Sequence, residues 1–336
     1  MRIVGQLEGT VRGRFFTFIG VSALWITLSA AAGGVPARAQ SSGPAASPAA
    51  TKGLEIVILG SGSPIPLADR QGPSLAVVVN GKAYIVDVGT GIARQANSAY
   101  QRGTSALRPA DLDIAFLTHL HSDHTLGLPD LILTPWILGR TKPLRLFGPS
   151  GTKAMAAHIE KAYQEDVRIR TTGLEGNNTT GYKVEAQDIQ PGRVYQDENI
   201  SVQAFLVRHG SWEEALGYRF DAGGKSVVIS GDTAPADSVA GACDGCDALI
   251  HEVYSGTGVN PSKPMMTEAQ WMKYEAAFHT SAKELGEIAA KGRPKMLILT
   301  HWTLLGNAKP EDMVREIQAA YKGPIIVARD LDLITP

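Results

Sequence analysis

Between Thr118 and His124 the chain places His119, His121, Asp123 and His124 directly after the apolar run Ile114-Ala115-Phe116-Leu117. Titratable side chains seldom crowd together at the exit of a buried strand unless a cation joins them. In an extended segment, residues two apart share a face, so His119 and His121 can grip one ion. The turn that follows enters a helix near Leu126-Gly127-Leu128 and presents Asp123 and His124 to another ion. This spacing predicts a two-metal mouth.

Three later strands end in groups of the same kind. Val202 to Val207 leads to His209, Val227 to Ser230 leads to Asp232, and Leu297 to Thr300 leads to His301. Each alone would read as a loop residue, but beside a preformed cluster they belong together as donors. All seven are imidazole or carboxylate, a set that suits zinc and leaves manganese, iron or nickel open.

The strand pattern sets the architecture. Leu54 to Leu59 is a strand that runs into a Gly/Ser/Pro turn. Ser74 to Val79 and Lys82 to Asp87 flank Asn80-Gly81, a hairpin signal because both turn residues tolerate positive φ. A strand at Leu144 to Phe147 precedes a helix from about Thr152 to Gln164, and residues 182 to 208 read as β. Tyr218 to Asp221 pairs with Ser226 to Ser230. Ala248 to Val253 and Met296 to Thr300 bracket a helix from Ser281 to Lys291 that opens on a capping box, Ser281 to Glu284. Two batches of strands, each followed by helices, predict two sheets packed face to face with helices outside.

The start of the chain reads differently. Arg2, Arg12 and Arg14 precede an apolar run from Phe15 to Ala32, and Ala37-Arg38-Ala39 has the form of a cleavage site. Residues 1–39 are therefore expected to be a secretory signal peptide, with an uncleaved membrane anchor as the rival reading. Residues 40–52, rich in Ser, Pro and Ala, read as a disordered linker, and 53–336 as one domain. Removal of the leader leaves about 300 residues, ample for one large core. The product would be exported, periplasmic or secreted, without stable membrane insertion. The whole chain has a formal net charge of −1, a balance that does not invite nucleic acid. The two cysteines, Cys243 and Cys246, are read as a small local disulfide or free thiols.

The ordered motifs resemble those of metallo-β-lactamase-fold hydrolases, in the branch with ribonuclease Z and metal-dependent arylsulfatases and phosphodiesterases. Gly60-Ser-Gly-Ser-Pro64 with Asp69-Arg70-Gln-Gly-Pro-Ser74 is similar to that branch's opening loop, and Asp87 to its first motif. His119, His121, Asp123 and His124 match the second, and His209, Asp232 and His301 the third, fourth and fifth. The resemblance implies an α/β fold, the four-layer αββα sandwich. It also implies two divalent metal ions, zinc by expectation: His119, His121 and His209 on the first, Asp123, His124 and His301 on the second, and Asp232 between them. Asp87 would position the cluster without touching a metal. His279 resembles the branch's proton donor, with Glu252 as its partner, and Asp123 is counted with these two among the residues expected to act in the reaction. A Cys in place of Asp232, as in common β-lactamases, or a Glu in place of His121, as in diiron flavoproteins, would indicate other relatives.

The expected activity is hydrolysis of a small phosphodiester or aryl sulfate ester, with a ribonuclease Z-type tRNA endonuclease or a lactone or thioester hydrolase as alternatives. Thr171 to Asp188, where a tRNA-holding arm would stand, contains Lys183 as its only basic residue. A phosphate backbone is held by clustered Lys and Arg, so a small-molecule substrate and no nucleic acid are expected. A homodimer is expected from the habit of such relatives. Substrate choice is expected to lie in residues 165 to 200, in a loop from Trp212 to Leu216, and in a cover from Tyr254 to Trp271. His251 and His158 are left outside the site, the first pointing to the opposite face of its strand and the second lying on a helix with polar neighbours.

Overall fold

Apolar runs without alternation become strands here because both of their faces are covered. The computed structural model describes residues 53–258 and 265–336, so the expected leader, the linker and the middle of the expected cover lie outside the described residues. In β1 (Leu54–Gly60), Ile56 and Ile58 face the second sheet while Val57 and Leu59 face helices, and all four are buried. The following strands are β2 (Ser74–Val79), β3 (Lys82–Val86), β4 (Ile114–Phe116), β5 (Leu144–Gly148), β6 (Val184–Asp188) and β7 (Gly192–Gln196). Next come β8 (Ser201–His209), β9 (Trp212–Ala222), β10 (Lys225–Ile229), β11 (Ala248–Ser255), β12 (Met296–Leu304), β13 (Ile325–Val327) and β14 (Leu333–Ile334).

They form two seven-stranded sheets, ordered β14-β1-β2-β3-β4-β5-β6 and β13-β12-β11-β10-β9-β8-β7. Each sheet is antiparallel at one side and parallel at the other, and the connections from β3 to β6 and from β10 to β13 carry the outer helices. One core lies between the sheets, built from Ile58, Val77, Phe116, Phe220, Ile250 and Ile298 among others. Two further cores lie beneath the helices on either outer face. This is the four-layer αββα sandwich, α/β in class. Two cross-sheet hydrogen bonds fix the sheets to one another at the functional end: Tyr218 Oη donates to Leu117 O at 2.6 Å, and Leu216 N to Thr118 O at 2.8 Å.

Several elements differ from the sequence expectation. The helix expected from Thr152 to Gln164 ends at Ala162, and a second helix runs Gln164–Thr172. Thr171 to Asp188 holds the end of that helix and β6, with no protruding arm among the described residues. Trp212 to Leu216 is the first half of β9, not a loop. The chain turns into it through Gly210, whose φ is 54°. A Cβ there would sit 2.0 Å from the Phe278 ring, so both the backbone and the space require glycine. Cys243 and Cys246 are disulfide-bonded and buried at the end of the helix Asp237–Cys243.

Gly210→Ala is expected to cost about 2–3 kcal/mol, from left-handed backbone and overpacking together. Urea denaturation checks this, and a loss below about 0.5 kcal/mol would show that the turn relaxes freely.

Candidate metal centre

Strand ends converge on one rim of the sandwich. His119 and His121 lie beyond β4, His209 ends β8, Asp232 follows β10, Glu252 belongs to β11 and His301 to β12. All seven expected donors meet there. His119 Nε2 lies 3.0 Å from His121 Nδ1, which lies 3.0 Å from His209 Nε2. Nitrogens about 2.0–2.1 Å from one tetrahedral ion would be separated by little more than that. His124 Nε2 and His301 Nε2 face the carboxylates of Asp123 and Asp232 at 3.3–3.5 Å. Asp232 also belongs with His119 and His124 and with His209 and His279, its donor atom lying within 4.8 Å of theirs, so it stands between the two groups.

The rings are oriented by groups behind them. The buried Asp87 carboxylate accepts from the Thr118 amide at 2.8 Å, from the Thr118 hydroxyl at 2.8 Å and from His124 Nδ1 at 2.8 Å. Thr118 Oγ1, its proton given to Asp87, accepts from His119 Nδ1 at 3.0 Å. One carboxylate therefore sets the tautomers of two rings and turns both Nε2 lone pairs inward. His209 Nδ1 donates to Phe278 O at 2.7 Å with the same result. His121 is held differently, because the Trp212 indole N–H donates to its Nε2 at 2.8 Å. In a neutral ring that bond leaves the proton on Nδ1, so a cation at Nδ1 and this bond exclude one another.

Backbone strain marks the same place. Asp87 has φ 57° and His301 φ 47°, both left-handed and neither a glycine. At His301 the register between β11 and β12 slips, pairing Glu252 with Thr300 but Tyr254 with Thr303. Two residues of β12, His301 and Trp302, thus oppose Val253 alone. Such a bulge redirects a side chain, and here it aims His301 at the carboxylates.

The electrostatics fit cations. Burial holds His119 well below the ordinary imidazole range and brings His209 down to about 4, so both rings are neutral donors. Burial opposes charge on His124 as well, yet Asp232, Asp87 and Asp123 raise it well above its usual value. His301 is raised against burial by Asp232 and Asp123. In return, Asp232 is held well below the carboxylate range by His301 and His124, despite burial that would raise it. Without a cation these protons would satisfy the carboxylates. The buried His124 Nε2 makes no well-formed hydrogen bond among the described residues, its Asp232 contact lying at 3.3 Å, and a metal ion would take its lone pair.

Beside these groups stands His279, at the junction of the helices Glu268–Phe278 and Ala282–Gly292. Its Nδ1 lies 3.2 Å from Glu252 Oε1, which also accepts the amides of Thr233 and Thr280. Burial would lower His279, but Glu252, Asp232 and Glu275 overcome it and lift the ring to about 9. Ser281 and Glu284 form the expected capping box. His251 faces the other way, its Nδ1 against Glu252 O, and His158 is exposed on its helix.

Two features differ from the sequence reading. Trp212, expected near the substrate on a loop, enters the site from a strand. Trp271, Tyr274 and Glu275 lie on the helix Glu268–Phe278 and line a cavity of about 290 Å³ with Ser63, Pro64, Ile65, Pro66, Tyr254, Glu252, His279 and His301. A signal for that helix was present in the capping box Thr267 to Gln270. Burial raises Glu275 to about 7. A larger cleft of about 870 Å³, with Arg70 and Asp330 on its walls, contains none of the seven donors.

A family model described as a β-lactamase superfamily domain matches residues 82–302. Ribonuclease Z of Mycobacterium bovis is 32% identical over 284 residues, covering 83% of this chain and 96% of that protein. Ribonuclease Z of Mycobacterium marinum is 31% identical over 284 residues, covering 83% and 97%. Among solved structures, the metallo-β-lactamase fold protein YhfI of Bacillus subtilis superposes with a TM-score of 0.61 at 16% identity, covering 84% of this chain and 99% of that one. The short form of human tRNase Z gives 0.59 at 19% identity, covering 84% and 98%. The chain belongs to the β-lactamase superfamily, within the branch of its ribonuclease Z relatives, and is a metal-dependent hydrolase of metallo-β-lactamase fold.

These relatives overturn one expectation. A small-molecule substrate and the exclusion of nucleic acid rested on the missing basic arm and the mild overall charge. The relatives that match over nearly their whole length are named for action on RNA. An arm governs how a long polynucleotide is held, whereas the bond is broken at the rim, so its absence does not exclude RNA.

Asp87→Ala is expected to weaken zinc affinity about 10–100-fold, because two rings lose their orienting partner. Competition with a chromogenic chelator measures it; unchanged affinity would mean that the rings are oriented without Asp87.

Proposed function

We propose that this chain is an exported, binuclear, metal-dependent phosphodiesterase of ribonuclease Z type that cuts RNA. His119, His121 and His209 would hold one zinc ion, with the Trp212 bond to His121 released, Asp123, His124 and His301 would hold the other, and Asp232 stands between the two donor groups. The observation that carries this reading is the placement of Asp232 between two donor groups beside the His279–Glu252 pair. Zinc supplies Lewis acidity there, lowering the pKa of water and offsetting charge on the phosphate oxygens. The chain's own residues do the rest. Asp123 stands beside His301 at one edge of the reacting centre, where both would face the same cation. His279 gives a proton to the departing ribose oxygen from Nε2, since its Nδ1 is engaged by Glu252. Glu252, clamped by two amides, keeps that ring oriented and charged. The leader in residues 1–39 supports export to the periplasm or beyond.

The test is incubation of the processed protein, loaded with zinc, with a tRNA carrying a 3′ extension and with an unstructured RNA. Cleavage that chelation abolishes and zinc restores is expected. A fully metallated protein that cuts neither RNA would refute the proposal.

His279→Ala should retain its metal and lose about 10²–10⁴-fold in RNA cleavage, while a nitrophenyl diester, whose leaving group needs no proton, loses far less. His279 lies near 9 without cations, and bound cations repel its imidazolium, so its pKa moves down. RNA cleavage should therefore fall as pH rises through a value at or below about 9, and that limb should vanish in the variant. A pH profile of kcat/KM that keeps the limb in His279→Ala would assign the proton to another group.

A further inference from the structure

The helix Glu268–Phe278 presents Trp271, Tyr274, Glu275 and Phe278 at helical spacing, on one face. Trp271 and Tyr274 lie with ring centroids 5.2 Å apart at 31°, and Tyr274 stacks on Phe278 at 4.5 Å. Pro64 and Pro66, which offer apolar ring faces and no amide donors, also line the cavity, as does Tyr254. A space of about 290 Å³ is at the small end of ligand pockets and suits one ring system, not an extended chain.

Polar groups in this apolar box narrow the choice of ring. Trp271 is 4% exposed, and its indole N–H has no hydrogen-bond partner among the described residues. A buried donor left unpaired is costly, and a ligand acceptor would satisfy it. The Glu275 carboxyl, also buried and on the lining, accepts hydrogen bonds. A plain aryl group offers nothing to either. A nucleobase carries ring acceptors and amino or imino donors on one planar edge, and its faces stack on aromatic side chains.

The position of the cavity fixes which base it takes. His279 and His301 both line it, so it opens beside the proton donor and not on the far side of the metal groups. We infer that this cavity receives the base of the ribonucleotide that departs as the alcohol, stacked on Trp271 and Tyr274 and read by the Trp271 N–H and the Glu275 carboxyl. The inference rests on the phosphodiesterase reading for the side of the bond, but the affinity for a base does not.

Two experiments separate these claims. Dinucleoside monophosphates lacking the base on one side or the other are compared by kcat/KM. Loss of the base on the departing side should cost about 10–100-fold, and loss on the other side much less. Equal losses, or none, would overturn the assignment. Separately, adenosine and cytidine, with ribose as control, are titrated into the zinc-loaded protein while tryptophan fluorescence is followed. Saturable quenching by the nucleosides and not by ribose is expected; Trp271→Ala should abolish it, and Trp271→Phe, which keeps a stacking face, should retain weakened binding followed by calorimetry. Absence of nucleoside binding at millimolar concentration, or quenching that survives in Trp271→Ala, would overturn the inference. A protein that cuts no diester yet binds nucleosides through Trp271 would sink the proposed activity and leave the base pocket standing.

Discussion

The Asp87 carboxylate is the constraint on which the rim depends. It sits at the end of β3 in a left-handed conformation and takes three hydrogen bonds, two from Thr118 and one from His124. Through Thr118 it also reaches His119. The strand that carries the histidine cluster is thereby tied to its neighbour at the point where the backbone leaves the sheet. A buried carboxylate with all its neighbours in place is stable, but deletion of the carboxylate would leave several buried donors without partners. The strain at Asp87 is tolerated because surrounding contacts over-determine it.

Around that anchor the protein packs more ionisable groups than an apolar sandwich would otherwise hold. Neutral rings at His119 and His209 lie beside raised rings at His124 and His301 and depressed carboxylates at Asp123 and Asp232. Burying charges costs free energy unless they are matched. Divalent cations match all of them at once, which explains why these residues share one rim although they come from both sheets. The same crowding raises His279, through Glu252 and Asp232, against the burial that would lower it.

The fold was largely legible in the sequence because local rules and burial agreed. Asn80 and Gly81 take φ values of 51° and 78°, as the hairpin signal required, and the strand runs that lack alternation proved covered on both faces. The donors were legible because they stand at strand exits in a recognisable order. The geometry that aims them was not. The bulge at His301 arises from a register slip against β11, which no local pattern encodes. Trp212 was expected near the substrate but on a loop, because Glu213 and Glu214 break the apolar pattern of β9. The base pocket needed the pairing of Pro64 and Pro66 with a helix some two hundred residues later. Nucleic acid was not legible from net charge or a missing arm, because neither bears on the chemistry of the rim.

The most direct test of the binuclear rim is the anomalous difference density of crystals grown with zinc. Two peaks per chain are expected, one among His119, His121 and His209 and one among Asp123, His124 and His301, with Asp232 between them. A single peak, or none at full zinc occupancy of the solution, would contradict it.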